Sequence, residues 1–293
     1  MAIQTQVWIR ELTKRLYPND LFFDLAKNDS AFVENRTVSL PQRGGAPGVQ
    51  KNRSVYPATA TRRSDAVLEY TIDEFTTDPT HVPDIEQIEV SYDKRSSILE
   101  DHANELNLKM ANSMLEGLAP SSASQIIRST GVNIDANLAG ATGTRKLITI
   151  DDFVKVRQIM DDMDIPEKGR CVVIPSNHLN ELVNREKSVL MSKDFRNDAD
   201  IKEGVLYSLF GIKIIKRGKN NVMRYNNAGT PAAKAFGVAG AATDNAAAIF
   251  WHKDFVRKAN GAVKVYQKTQ DPLYYGDVFS AMVRFGVSPA YTD

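Results

Sequence analysis

Residues 35–93 read NRTVSLPQRGGAPGVQKNRSVYPATATRRSDAVLEYTIDEFTTDPTHVPDIEQIEVSYD, and along this stretch the charges sort by sign. From Asn35 to Ser64 the formal charges are all basic (Arg36, Arg43, Lys51, Arg53, Arg62, Arg63). From Asp65 to Asp93 they are all acidic (Asp65, Glu69, Asp73, Glu74, Asp78, Asp84, Glu86, Glu89, Asp93). A solvated coat mixes its signs, so two segregated blocks point to charge pairing with a partner. The basic half also holds Pro41, Gly44, Gly45, Pro47, Gly48 and Pro57, too many turn formers and too few apolar residues for a core of its own. On either side, residues 36–40 and 66–75 read as strands, because Ala66, Leu68, Tyr70 and Ile72 alternate with Val67, Glu69, Thr71 and Asp73. The unit is a long two-stranded hairpin with an irregular tip. An isolated ribbon of that kind is marginal in water, so it has to be propped against something.

Upstream, residues 1–33 concentrate Trp8, Ile9, Leu12, Leu16, Tyr17, Leu21, Phe22, Phe23, Leu25 and Phe32. Ile9, Leu12 and Leu16 allow a short amphipathic helix. So much aromatic surface must be buried, either on the chain's own domain or as an arm on a neighbouring subunit. Downstream, from about Val90 to Leu118, Tyr92, Leu99, Ala103, Leu106, Met110 and Met114 fall close to one helical face. Pro120 stops this helix, whose ~42 Å length suits a spine better than a packing helix. After a small-residue linker (Gly140 to Gly143), Thr149 and Asp152 have capping-box spacing. They open a helix carrying Phe153, Val156, Met160 and Met163. An apolar strand, Arg170 to Ile174, follows, then a helix capped by Ser176 with Leu179, Leu182 and Val183 inward. With the strand-like Gly204 to Ile215 this makes an α/β unit. The last third reads as strands: Ala246 to Trp251, a run through Val263 and Val265, and Phe279, Ala281, Val283 and Phe285 alternating with Val278, Ser280, Met282 and Arg284.

Composition excludes several functions. A chain of 293 residues with 42% apolar and 25% charged residues is that of a globular protein, and a net charge of +1 argues against a bulk nucleic-acid condenser. The single cysteine, Cys171, lies in an apolar run and reads as a buried, inert thiol. The start has no basic region leading into an apolar one, and no stretch approaches the ~20 apolar residues of a membrane span, so a soluble chain without an export signal is expected. His81, His102, His178 and His252 are scattered at no metal-ligand spacing. Dinucleotide fingerprint, P-loop and hydrolase elbow are all missing from the sequence. Asp151 and Asp152 suit the first turn of a helix, and Asp161, Asp162 and Asp164 follow no ligand-loop pattern, so all five are expected on a solvated face. Only Tyr56 offers a stacking surface among the basic residues of the hairpin tip, which disfavours a single-stranded nucleic-acid groove. No catalytic, cofactor-binding or metal-binding residue is therefore assigned.

The order of these elements resembles the HK97-type major capsid proteins of tailed bacteriophages. Val7-Trp8-Ile9-Arg10-Glu11-Leu12, Leu16-Tyr17 and Phe22-Phe23 look like the family's N-terminal arm, and Thr37-Val38-Ser39-Leu40-Pro41 is similar to the strand entering its long hairpin, the E-loop. Ile150-Asp151-Asp152-Phe153, Arg170 to Pro175 and His178-Leu179 resemble the helix-strand-helix of its axial (A) domain. Gly204 to Ile214 resembles that domain's strand pair, and Ala247 to Asp254 and Gly276 to Val287 look like the final strands. The long helical N-terminal scaffolding segment of some relatives and an inserted domain have no counterpart in these residues, so neither is expected.

The resemblance implies an α+β HK97-like fold divided into an N-terminal arm (1–33), an E-loop hairpin (34–83), a spine helix with the first part of a peripheral (P) domain (84–147), an A domain (148–255) and return strands of the P domain (256–293). It implies a non-enzymatic structural protein that self-assembles into hexamers and pentamers of an icosahedral shell around packaged double-stranded DNA. That DNA would meet the inner face non-specifically, and a portal and scaffolding or decoration proteins would be further partners. The location implied is the virion, after assembly in the cytoplasm of a bacterial host. Inter-subunit contacts are expected from Arg43, Lys51, Arg53, Arg62 and Arg63 of the E-loop and from Trp8, Leu16, Phe22 and Phe23 of the arm. Some relatives also join an E-loop lysine covalently to a neighbour's asparagine. Lys51 is the only lysine between Lys27 and Lys94, but Asn52 and Arg53 beside it make a wet, cationic setting, so no crosslink is expected. The alternatives are an encapsulin-like nanocompartment, a nucleic-acid-binding protein using the Arg-rich loop, and an enzyme built on the α/β unit.

Overall fold

The computed structural model describes residues 22–42, 44–45, 47–54, 56–58, 60, 62–83, 94–136, 138–185 and 208–290. A 3-10 turn at Phe22–Leu25 leads to β1 (Lys27–Asn28), and a second at Ser30–Phe32 leads to β2 (Val33–Glu34). The hairpin is β3 (Thr37–Gln42) and β4 (Ala66–Thr71), followed by β5 (Asp73–Thr76) and β6 (Thr80–Pro83). Helix α1 (Lys94–Leu118) precedes β7 (Asn133–Asp135) and β8 (Thr144–Lys146). Next come α2 (Ile150–Asp162), β9 (Arg170–Pro175) and α3 (Ser176–Arg185). The chain continues through β10 (Ser208–Leu209), β11 (Ile212–Arg217), β12 (Arg224–Tyr225), β13 (Ala233–Lys234), β14 (Asn245–Ala246) and β15 (Ile249–His252). It ends in two long strands, β16 (Val256–Asp271) and β17 (Gly276–Pro289).

Two sheets carry most of the molecule. One has the order β1-β16-β17-β5, with β6 also on β17, and its axis is the antiparallel β16–β17 ladder, irregular between Asn260 and Val263 and between Lys268 and Asp271. The other has the order β10-β11-β9-β15, with β11 parallel and β15 antiparallel to β9. Every residue of β9 is buried, and the strand's alternation sends Cys171 and Val173 into one core and Val172 and Ile174 into a second. A strand covered on both faces reads as a continuous apolar run, which is why this segment looked like one.

The first core is built around α1. Leu99, Ala103, Leu106, Met110 and Met114 are buried as its periodicity requires, joined by Ala111 and Leu115. They pack with Val283 and Phe285 of β17 and with Ile249 and Trp251 of β15. The described helix has 25 residues, ~38 Å at 1.5 Å per residue; Tyr92 lies outside the described residues. The second core gathers Phe153, Leu179 and Leu182 from α2 and α3 against Ile212 and Ile214 of β11. Residues 204–207 lie outside the described set. The strand expected there resolves from Ser208 onward into an antiparallel pair turning at Phe210 (φ 50) and Gly211 (φ 78), the two left-handed residues a type I′ turn demands.

One reading needs correction. Asp152 is not on a solvated face: it is 5% exposed, and its carboxylate accepts hydrogen bonds from the Thr149 N–H (2.9 Å) and from the Thr130 hydroxyl (2.8 Å). The α2 capping box is thus also the tether that holds the preceding loop. Asp151, Asp161, Asp162 and Asp164 are exposed as expected, and Asp161 also pairs with the buried guanidinium of Arg170 at 2.7 Å. The small-residue linker is tied to the body, since the Gly143 N–H donates to the Ala242 carbonyl (3.0 Å).

Candidate assembly surface

The hairpin is fixed at its base and bare at its tip. In β3 and β4 the register runs from Thr37 opposite Thr71 to Gln42 opposite Ala66. The alternation puts Val38, Leu40, Tyr70 and Ile72 on one face, where they bury against Ala259 of β16. At Gly286 a Cβ would stand 2.6 Å from the Thr71 carbonyl oxygen and 2.9 Å from Ile72 Cγ2, so only glycine lets β17 come this close to the base. A polar network adds to the seam. The carboxylate of Asp29, 1% exposed, accepts from Arg257 Nη1 (2.9 Å) and the Tyr70 hydroxyl (3.4 Å), while the Asp29 N–H donates to the Lys258 carbonyl (2.8 Å). Burial, and then the Asp29 charge, push the Tyr70 phenol above its ordinary value, so it stays a neutral donor. The segment before the hairpin, the hairpin itself and β16 thus meet at one carboxylate.

Beyond Gln42 and Ala66 no described residue of the tip belongs to a strand or helix. Its neck is held by the Asp65 carboxylate, which accepts from the Gly44 N–H (2.9 Å) and pairs with Arg63. Val49 is 93% and Tyr56 75% exposed. Of the five basic residues expected to reach a neighbour, Lys51 and Arg62 are exposed, Arg53 is half-buried, and Arg43 lies outside the described residues. Arg63 is half exposed and already engaged with Asp65 of its own chain, so the sign boundary in the sequence is also a local pair.

For the arm, Trp8 and Leu16 lie outside the described residues, and Phe22 and Phe23 need correction: they are core residues of their own subunit. They are 2% and 3% exposed, Phe22 edge-on to Trp251 (6.1 Å) and Phe23 edge-on to Phe285 (5.5 Å). The Arg217 guanidinium lies over the Phe22 ring at 5.5 Å, and the Trp251 indole N–H donates to the Leu25 carbonyl (2.8 Å). Each buried Phe side chain contributes ~1.5–3 kcal/mol to folding, and neither has surface left for a neighbour.

No family model matches the chain, and no curated protein matches it. Solved structures do. The capsid structure of the cyanophage P-SCSP1u superposes with a TM-score of 0.63 at 19% identity, over 92% of this chain and 84% of its own. The mature capsid of bacteriophage PhiM1 gives 0.61 at 13%, over 93% and 84%. A virus-like particle from Pyrococcus furiosus gives 0.54 at 10%, over 98% and 95%. The chain has the HK97-type capsid fold. At these identities the likeness is one of architecture, and it spans nearly the whole chain.

Within this HK97-type fold Cys171, His102, His178 and His252 are buried, while His81 is exposed. Cys171 is 1% exposed, its thiol donates to the Trp251 carbonyl (3.4 Å), and burial pushes its pKa up to about 12, far from a thiolate nucleophile. Burial, helped by the Arg145 charge, holds His178 down at about 3. Among the described residues no three His, Cys, Asp or Glu side chains are grouped to hold a metal, and no helix is long and apolar enough to cross a membrane. Two features escaped the sequence reading. The Asp29–Arg257 pair joins residues 228 positions apart, for which one sequence carries no signal. The other is the turn Pro272-Leu273-Tyr274-Tyr275, where Leu273 is 79% and Tyr275 81% exposed. Three large apolar residues in succession between two strands were its visible mark.

Proposed function

We propose that this chain is the major capsid protein of a tailed bacteriophage, self-assembling into hexamers and pentamers that close an icosahedral shell around packaged double-stranded DNA. One observation carries the reading: on an HK97-type fold, the hairpin is welded to the body at Asp29, Ile72 and Gly286 and then runs on into a tip whose described residues belong to no strand or helix and include the exposed Val49 and Tyr56. A monomer gains nothing from holding an uncovered ribbon so firmly; a shell subunit gains a lever on its neighbour. The division into arm (1–33), E-loop (34–83), spine helix and first P-domain part (84–147), A domain (148–255) and P-domain return (256–293) belongs to the same proposal. So do the portal and a scaffolding or decoration protein as partners, and the virion, assembled in the host cytoplasm, as the location. Its role is mechanical, with no catalysis. A net charge of +1 suits loose, non-specific confinement of DNA rather than tight binding.

A second reading, a nanocompartment shell of the same architecture enclosing an enzyme, draws on the alignment with the Pyrococcus furiosus virus-like particle. Negative-stain microscopy and light scattering of the purified chain test the shell. Closed particles, or capsomers that convert to them, are expected. A compact monomer at all concentrations and salts overturns the proposal, and protein rather than nucleic acid inside particles from the native source favours the nanocompartment.

A further inference from the structure

We propose that the cavity between the β7–β8 hairpin and α3 is a binding site for a small oxyanion, a phosphate or carboxylate group, with the Arg145 guanidinium as its anchor. The cavity measures about 820 Å³; Ile134, Gly143 and Leu147 wall it on the hairpin side, and Glu181, Asn184 and Arg185 on the helix side. That volume is within the ~300–1,000 Å³ of ordinary ligand pockets.

The guanidinium is directed at this space. Residues two apart on an extended segment share a face, and Gly143 and Leu147, on either side of Arg145, both line the cavity. So do Ile134, its register partner on β7, and Glu181, its ion partner on α3. The Arg145 side chain is 3% accessible and stands behind that of Glu181, which is 29% accessible. Its Nη2 donates to the Glu181 carboxylate, whereas Nε and Nη1 are buried with no hydrogen-bond partner among the described residues. Buried donors are ordinarily paired, because each one left unmade keeps its full desolvation cost. His178, one turn before Glu181 on α3, is also buried with Nε2 unpaired, and the Arg145 charge acts on it. The walls are fixed as well: the Ala136 N–H donates to the Gly143 carbonyl (3.0 Å) and the Leu147 N–H to the Val132 carbonyl (2.9 Å).

An oxyanion is the ligand that suits these groups. The unpaired atoms of Arg145 are donors only, so they need acceptors, and a planar guanidinium matches the geometry of carboxylate and phosphate groups. Arg185, in the last turn of α3, brings a second cation to the wall. Of the two acids in the lining, Glu181 is engaged with Arg145, and Asp135 is exposed, where water and salt screen it. A hard metal cation would require several free carboxylates, which this lining does not offer. An incoming phosphate reaches the guanidinium once Glu181 turns toward the solvent that its side chain already meets. Bound there, it ties the hairpin to α3 through one charge-assisted contact.

Thermal melting of the full chain in sodium phosphate, acetate or chloride at one ionic strength tests the site. Phosphate or acetate should raise the wild-type melting temperature above its value in chloride, increasingly with concentration, as a ligand of the native state does. Preference for phosphate points to a phosphate or phosphate ester as the natural occupant, and preference for acetate to a carboxylate. Glu181→Gln removes the competing carboxylate, so it should melt lower in chloride and bind the preferred anion at least ~10-fold more tightly than the wild type. An Arg145→Met, Glu181→Gln double variant removes the guanidinium together with its partner, a change that buried pairs often tolerate, and it should lose the response. A wild type that neither anion stabilises beyond chloride overturns the proposal, as does a folded double variant that still responds. Equal affinities in the wild type and Glu181→Gln overturn it too, whether or not the double variant folds. Because the site lies within one subunit, its failure leaves the shell reading intact.

Discussion

Reversing the tip charges with Arg62→Glu and Arg63→Glu separates folding from assembly. Arg62 is exposed, and Arg63 and Asp65 are about half exposed, with side chains 50% and 53% accessible. Such a pair contributes ~0.2–1 kcal/mol. In a chain of this size that is at most ~4 °C of melting temperature, so the subunit should fold normally. At an interface the same two positions pass from attraction to repulsion. A swing of ~1 kcal/mol at each exposed charge gives ~2 kcal/mol per contact, a rise of ~30-fold in the concentration needed for assembly. The effect should shrink in 1 M salt, where the screening length falls to ~3 Å. Light scattering against subunit concentration at two ionic strengths measures both quantities, with circular dichroism and thermal melting as the folding control. A variant that assembles at the wild-type concentration and with the wild-type salt dependence would refute the idea that the segregated charges steer neighbours together.

Two further outcomes are expected. His178 is 6% exposed and held at about 3 against an ordinary 6.5, so its neutral form stabilises the fold fully above pH 6.5, and that contribution is lost as pH falls toward 3. Between pH 7.5 and pH 5 the free wild-type subunit should lose ~2 kcal/mol that a His178→Leu variant keeps, visible as a smaller drop in melting temperature; equal drops would show that the imidazole is not desolvated. The exposed amine of Lys51 lacks the dry pocket that covalent joining requires, so mature particles boiled in detergent should run as one band at the monomer mass, and a ladder that collapses on Lys51→Ala would contradict this.

The parts of the fold legible in the sequence were those with local periodicity. The face of α1 through Leu99, Leu106 and Met114, the period-2 faces of β4 and β17, and the Thr149–Asp152 cap each arise from neighbours in sequence, and their side chains are buried or bonded accordingly. Long-range chemistry was hidden. Arg257 and Lys258 read as ordinary strand cations, and nothing local marks them as partners of Asp29 and Asp24. The full length of β16 was also obscured, because beyond Val265 its residues alternate Tyr266, Gln267, Lys268, Thr269 and Gln270 with little apolar contrast on a ladder whose outer half is exposed. Phe22 and Phe23 were misjudged for a related reason: aromatic density fixes that a segment is buried, not whose core receives it.

One strand links the hairpin to the far end of the sheet. β17 receives the end of the hairpin unit at Phe285, opposite Asp73, and reaches its turn at Gly276, opposite Asp271. Nine residues at ~3.4 Å each put the hairpin junction and the β16–β17 turn ~30 Å apart along one strand. Loops would let that distance drift; a paired strand buried at Val283, Phe285 and Phe279 does not. Register irregularities interrupt the ladder at Asn260–Val263 and Lys268–Asp271, one near each end, and bulges of this kind bend a strand and increase its twist. The direction in which the hairpin leaves the sheet is therefore tied to where the ladder breaks register, and a substitution that restored the register at Asn260–Val263 would turn the hairpin without touching its own residues.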